Sequence, residues 1–201
     1  LSLCKKNMEK IPTSMTTHKL LAEVCYAAKE EGASITLHYP QYQQKYGITD
    51  STICTMLARS FADIGDIIRG KDLYRGNKKK NPTERDQLES KLKKIFGDIY
   101  EGLSISTSEK KSALQTRYGN DTENYFQLRE DWWYANRETV WKAITCDDRL
   151  SNSKYFRLTC DTGQGPSVAI HYCRCNGDKP DGDKPNTDPP TYFDYVPQYL
   201  R

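Results

Sequence analysis

The sequence predicts a mostly α-helical fold, a long-helix bundle linked by disulfides. Three observations carry this. Apolar residues recur at three- and four-residue steps in four separate stretches. Extended character is confined to Lys154–Cys160 and Ser167–Cys175, too little for a dominant sheet. Seven cysteines (4, 25, 54, 146, 160, 173 and 175) in 201 residues are too sparse for a small stapled scaffold but suit an extracellular domain with its own core.

The first helix is expected near residues 17–31. Thr16 or Thr17 can cap its N-terminus, Leu20, Leu21, Val24, Cys25 and Ala28 mark its buried face, and Gly32 offers a stop. Ala33–Gly47 stays ambiguous: Pro40 interrupts it, and Tyr39, Tyr42 and Tyr46 fit core or surface equally. The second helix, 50–69, is the clearest. Ile53, Leu57, Phe61, Ile64 and Ile68 form one stripe, and Gly65 lies inside it at a helical cost of roughly 1 kcal/mol that close approach of another helix would offset.

A polar linker at 71–82 carries Gly76-Asn77 and Lys78-Lys79-Lys80. The third helix, 84–101, has a narrow seam of Leu88, Leu92, Ile95 and Ile99, and Ser104–Ser112 is a polar break. The fourth, 121–145, is lined by Tyr125, Leu128, Trp132, Ala135 and Thr139 and widened by Phe126, Trp133 and Val140. Gly177–Pro190, rich in Gly, Pro, Asp and Lys, reads as a solvent loop, and Tyr192–Arg201 as the approach to another helix. Leu57, Phe61, Ile64, Leu92, Ile95, Trp132 and Ala135 are the expected common core.

Composition narrows the function. Charged residues make up 28% and apolar residues 36%, with 11% aromatics, so the chain reads as soluble, folded and polar for its size. No apolar run approaches the ~18 residues of a membrane span. Leu1–Lys10 carries Lys5, Lys6 and Lys10 and does not read as a signal peptide, and the chain looks like an excised fragment. Catalysis is not expected. His18, His38 and His171 are scattered, without a nucleophile context or a phosphate-binding glycine loop.

Asp63 and Asp66, three apart on one helix, are expected to face solvent or pair with Arg59 and Arg69. Neither a cofactor nor a structural metal is expected: Cys173-Arg174-Cys175 lacks the spacing of a zinc site. Asn120-Asp121-Thr122 matches a glycosylation sequon but reads better as a helix N-cap.

Positive charge is concentrated. Residues 69–94 hold ten Lys/Arg against four acids, a local +6 in a chain of net +3. Lys78, Lys79, Lys80, Lys91, Lys93 and Lys94, with Lys110 and Lys111 from the next loop, are the candidate polyanion-binding residues. A solvated surface would use the same residues. An intracellular nucleic-acid-binding protein would too, but seven cysteines and the absence of a nucleic-acid motif argue against it.

Two blocks narrow the choice. Ala58–Tyr74, ARSFADIGDIIRGKDLY, and Asp194–Arg201, DYVPQYLR, 120 residues downstream, resemble the signatures of Duffy-binding-like domains. These are adhesion modules of malaria-parasite invasion ligands and of the Plasmodium falciparum erythrocyte membrane protein 1 family. The alpha type is the most similar. The resemblance implies that 1–16 ends an irregular first subdomain, 17–175 is the helical-bundle middle subdomain with variable loops at 71–82 and 104–119, and 176–201 is a Pro/Gly loop and the start of a third.

It further implies disulfides Cys25–Cys146 and Cys54–Cys160, with Cys4 pairing upstream and at least one of Cys173 and Cys175 downstream. It implies an extracellular location on the infected red cell, within a membrane-anchored parent. Partners would be host heparin- or heparan-sulfate-like chains, blood-group glycans or a glycoprotein receptor, and antibodies. The alternative is an antigenic-display or scaffold module without a ligand of its own.

Overall fold

The computed structural model describes residues 16–47, 51–73, 84–104, 108–121, 123–161, 163 and 165–201. Cys4, Lys5, Lys6, Lys10 and Lys78–Lys80 lie outside them. Five helices are present among these residues: α1 (Thr16–Tyr46), α2 (Ser51–Arg69), α3 (Glu84–Ser104), α4 (Ser108–Tyr118) and α5 (Phe126–Ile144). The bundle is organised around α5, which packs on α1, α2 and α3, while α4 rests on α3.

α1 passes straight through the expected stop at Gly32 and carries Pro40 inside it, spanning 31 residues, about 46 Å. Gly32 is a site of close approach instead. It is buried, and a Cβ there would collide with the carbonyl oxygen of Ile144 at the end of α5. Buried Thr36 stands one turn later, its hydroxyl 2.9 Å from the Gly32 carbonyl and 3.1 Å from the Asp147 carboxylate. The Asp147 bond and the Gly32–Ile144 approach fasten α1 to the end of α5 and the turn after it. Of the ambiguous tyrosines, Tyr39 is core, whereas Tyr42 and Tyr46 are surface.

α2 follows the predicted stripe: Ile53, Leu57, Phe61 and Ile68 are buried, and Ile64 is half-buried. Phe61 is wedged between Trp133 and Trp141, ring centroids 5.1 and 5.2 Å away. Gly65 admits Trp133 of α5, whose ring would lie 2.8 Å from any Cβ placed there. The helix ends in a Schellman motif: Gly70 takes a φ of 70°, its N–H bonds the Ile67 carbonyl and that of Lys71 the Asp66 carbonyl.

The remaining helices differ from expectation in their faces. On α3 the buried residues are Leu92, Phe96 and Ile99, while Ile95 is half-buried and Leu88 is exposed. The seam turns toward Phe96 because Arg129 of α5 spans it, over the Phe96 ring and bonded to Glu89. The expected loop 104–119 contains helix α4. It lacks an apolar stripe and is fastened by Tyr118 and Arg117, which both bond Asp131 at 2.6 Å.

α5 begins at Phe126 rather than near residue 121, with Tyr125 in the left-handed region as its N-cap. The Asp121 carboxylate accepts from the Leu128 N–H at 3.0 Å, so it satisfies one donor of the first turn, but the N-cap position is held by Tyr125 and not by Asp121. Trp132, Trp133, Val140 and Trp141 are buried on α5, but Ala135, Thr139 and Phe126 are exposed. Ala135 is therefore not core. Arg129 and Arg137 occupy the face that a stripe of apolar residues would assign elsewhere.

The disulfides are Cys54–Cys173 and Cys160–Cys175. The Cys54–Cys160 pairing is thus incorrect, as is the downstream partner for Cys173 or Cys175. After α5 the chain turns back, and a two-residue antiparallel pair aligns Cys160 with Ser167 and Asp161 with Pro166. That return brings Cys173, not Cys160, to α2. Chain-entropy stabilisation is about 5 kcal/mol for the 119-residue loop and about 3 kcal/mol for the 15-residue one.

Cys25 and Cys146 are neighbours outside both bridges, so the implied Cys25–Cys146 bond is not made here. Burial, with the nearby Cys146, pushes the Cys25 thiol up to about 12.

Gly177–Pro190 is not a simple solvent loop. Buried Arg174 bonds Asp183 at 2.6 Å and the Lys142 carbonyl at 2.7 Å, and Asp178 accepts from the Lys184 N–H at 2.6 Å. The chain then runs over α2 in two short 3-10 turns, Phe193–Tyr195 and Gln198–Leu200.

Candidate ligand-binding surface and its buried support

The two sequence blocks meet in space. Asp194 is 1% exposed. Its carboxylate accepts from Arg137 Nε at 2.8 Å and Nη2 at 2.9 Å, and from Trp133 Nε1 at 2.9 Å. Arg69 of α2 donates to the Asp194 carbonyl and to Asp66 Oδ1, the latter at 3.0 Å. Arg201 closes the clasp by bonding Asp66 Oδ2 and Asp63 Oδ1. Tyr195 lies over both Arg69 and Arg137, 5.6 and 5.3 Å from ring centroid to guanidinium carbon.

The expected Asp66–Arg69 pair is present, but Asp66 is buried rather than solvated. Its second partner, Arg201, lies 135 residues away and has no local signal.

In the clasp, burial and ion pairing act against each other. Burial opposes the Arg137 charge, yet the Asp194 hydrogen bonds and charge hold its pKa above the ordinary value. Burial lowers Arg201, partly offset by Asp63, and burial raises Asp63, partly offset by Arg201. A buried ion pair of this kind is weak evidence for stability, because desolvation consumes much of the attraction. Losing one partner is the costly event. The clasp therefore fixes where the last block sits.

The cations counted in residues 69–94 do not form one surface. Arg69 is buried in the clasp, Lys71 pairs with Glu130, and Arg85 pairs with Asp72 at 3.4 Å. Lys91 and Lys94 stand exposed on α3, three residues apart on one flank, and Lys93 is half-buried. None of the three makes an ion pair among the described residues. Lys110 and Lys111 fall in α4 by backbone, and their side chains lie outside the described residues, as do Lys78–Lys80. α3 also carries Glu84, Asp86, Glu89, Asp98 and Glu101, so its own charge is close to balance. Among the described residues, no cluster of three His, Cys, Asp or Glu side chains is placed to hold a metal ion.

The Duffy binding domain model matches the chain over residues 1–201. The chain belongs to the Duffy binding domain family. Two solved structures similar to it come from Plasmodium falciparum membrane protein 1 (PfEMP1) of the varO strain. One, the NTS-DBL1(alpha-1) domain, is 35% identical at a TM-score of 0.65, over 98% of this chain and 39% of that one. The other, the NTS-DBL1-alpha and CIDR-gamma double domain, is 37% identical at a TM-score of 0.66, over 91% of this chain and 23% of that one.

A PfEMP1 DBLb domain bound to human ICAM-1 is 26% identical, with a TM-score of 0.56, over 96% of this chain and 32% of that one. This Duffy-binding chain thus spans well under half the length of these relatives. Comparison with curated proteins finds no match. Among the described residues, no helix of this Duffy-binding chain is long and apolar enough to cross a membrane.

Proposed function

We propose that this Duffy-binding chain is part of an extracellular adhesion domain, displayed on the infected red cell within a larger membrane-anchored protein. It contacts host surface glycans or a glycoprotein receptor. The single observation that supports a polyanion contact is the α3 flank. Lys91 and Lys94 are exposed there while Arg69, Lys71 and Arg85 are held in ion pairs. Lys93 and, from the sequence alone, Lys78–Lys80, Lys110 and Lys111 are the further cations proposed for heparin-like or heparan-sulfate-like chains. Flexible lysines suit sulfates spread along a polymer, and the attraction falls off over a Debye length of about 8 Å at physiological salt. Blood-group glycans and antibodies are further partners of such an exposed module. The relative bound to human ICAM-1 favours a glycoprotein receptor as the second reading.

Immobilised heparin tests the first reading. The reversal Lys91→Glu with Lys94→Glu should lower heparin retention and its salt dependence without moving the thermal midpoint. Equal loss on reversing Lys5, Lys6 and Lys10 would refute the site. Absence of saturable binding to both heparin and red cells would favour a display module.

A further inference from the structure

The turn after the second disulfide carries a reactive pair. Asn176 and Gly177 follow Cys175 directly, both are exposed, and they are the only Asn-Gly step in the chain. Their φ values are 56° and 66°, and the Asp178 N–H donates to the Cys175 carbonyl at 3.0 Å, so Cys175–Asp178 is a type I′ turn. Glycine leaves the nitrogen of residue 177 unshielded: a Cβ there would meet nothing nearer than the Lys184 Nζ at 3.9 Å. The Gly177 N–H makes no hydrogen bond among the described residues.

The chain contains its own comparators. Asn186 is also exposed, with a φ of 55°, but Thr187 follows it. Thr187 branches at Cβ beside its nitrogen, and its N–H is held by Glu138 Oε1 at 3.1 Å. Asn152 is exposed as well, but the N–H of the next residue, Ser153, bonds the Leu150 carbonyl at 2.9 Å. Among the described residues, only Asn176 is followed by a nitrogen that is both unshielded and unbonded.

We propose that Asn176 is a self-modification site, at which the main chain converts the side-chain amide to an acid. Solvent hydroxide takes the Gly177 amide proton, and the nitrogen bonds to Asn176 Cγ. The side-chain nitrogen leaves as ammonia, taking a proton from water and regenerating hydroxide. Water then opens the cyclic imide at either carbonyl, giving aspartate or isoaspartate. The net change consumes water and releases ammonia, with no oxidant or cofactor.

The consequence lies in what the turn holds. The Asn176 carbonyl accepts from Lys184 Nζ, and buried Asp178 accepts from the Lys184 N–H at 2.6 Å and from Arg174 at 3.4 Å. Isoaspartate adds a carbon to the main chain between Cys175, anchored to Cys160, and Asp178. The turn bond then no longer closes in place, and segment 177–190 loosens while both disulfides stay intact. Either product adds negative charge to an exposed loop, so this surface records the age of the molecule.

Incubation of the whole chain in mildly alkaline buffer, disulfides intact, tests the site by peptide mass and isoaspartyl-methyltransferase labelling. Residue 176 should convert while Asn186 and Asn152 remain amides. Gly177→Ala should slow conversion about tenfold or more, a rise of ~1.4 kcal/mol in the barrier. Asn176→Gln should leave residue 176 unmodified. In the isolated isoaspartate form, the Lys184 amide should exchange with deuterium faster than in Asn176→Gln. Ile68→Val, a mild change in the buried core, should leave the rate at Asn176 unaltered, because only the turn has to open. Equal conversion at Asn186, a rate that rises in step with unfolding in Ile68→Val, an amide at 176 that lasts as long as that of Asn152, or unchanged exchange at Lys184 overturns the proposal.

Discussion

Replacing Asp194 with Ala tests the clasp directly. Asp194 is fully buried, and its carboxylate serves two nitrogens of Arg137 and the indole N–H of Trp133. Alanine removes all three bonds and leaves a buried guanidinium without its counter-charge. Breaking a buried pair from one side costs about 3–5 kcal/mol. The stranded Trp133 donor falls within that range, because it belongs to the same desolvated cluster. With an m-value of about 2 kcal/mol/M in urea, the midpoint should fall by roughly 1.5–2.5 M.

The assay is urea unfolding followed by tryptophan fluorescence with disulfides intact, beside exposed Lys91→Ala as a control that should not shift. Pairing Asp194→Leu with Arg137→Met should recover much of the loss, since apolar replacement of both partners removes the uncompensated charge. A midpoint shift below about 0.5 M for Asp194→Ala alone, equivalent to under ~1 kcal/mol, would refute the reasoning.

The other outcomes concern packing, covalent links and pH. Phe61→Ala, between two tryptophans, should cost about 3–5 kcal/mol in the same assay. Gly32→Ala should cost about 1–3 kcal/mol despite its better helix propensity, because the Cβ meets backbone of Ile144 that cannot rotate away; a stabilised variant would disprove that contact. Peptide mapping of unreduced protein should join Cys54 to Cys173 and Cys160 to Cys175, and a Cys54–Cys160 peptide would overturn the pairing.

Asp147 has its pKa lowered, chiefly by its Arg149 hydrogen bonds and against partial burial. A depressed folded value stabilises the fold above the ordinary Asp value of about 3.9, and that contribution disappears as pH falls through the folded value. Asp147→Asn should therefore flatten the acid limb of a stability–pH profile below about pH 4. An unchanged acid limb would assign it to other carboxylates.

Legibility tracked periodicity. α2 could be read because one apolar stripe sets its face, and Gly65 announced the approach that Trp133 makes. α4 could not, since its ties are Arg117 and Tyr118 bonds to Asp131 rather than a stripe. On α5 the buried arginines 129 and 137 displaced the expected face toward Ala135, because a pattern of apolar residues does not reveal a cation with a distant partner. Gly32 carried two meanings, stop or close packing, and only the position of Ile144 decides between them. The α3 lysines were visible as a cluster. Which neighbouring cations are occupied by Glu130, Asp72 and Asp194 depends on tertiary contacts.

The placement of the ties has a mechanical consequence. Both the Cys54–Cys173 bridge and the Asp194 clasp converge on α2. α3 contains no cysteine and is held by Leu92, Phe96, Ile99 and the Glu89–Arg129 and Arg85–Asp72 pairs. A host polymer pulling on Lys91 and Lys94 would load that apolar seam first. Under shear, α3 would peel away as a yielding element while the cross-linked remainder kept its shape, so the attachment would give before the domain unfolds.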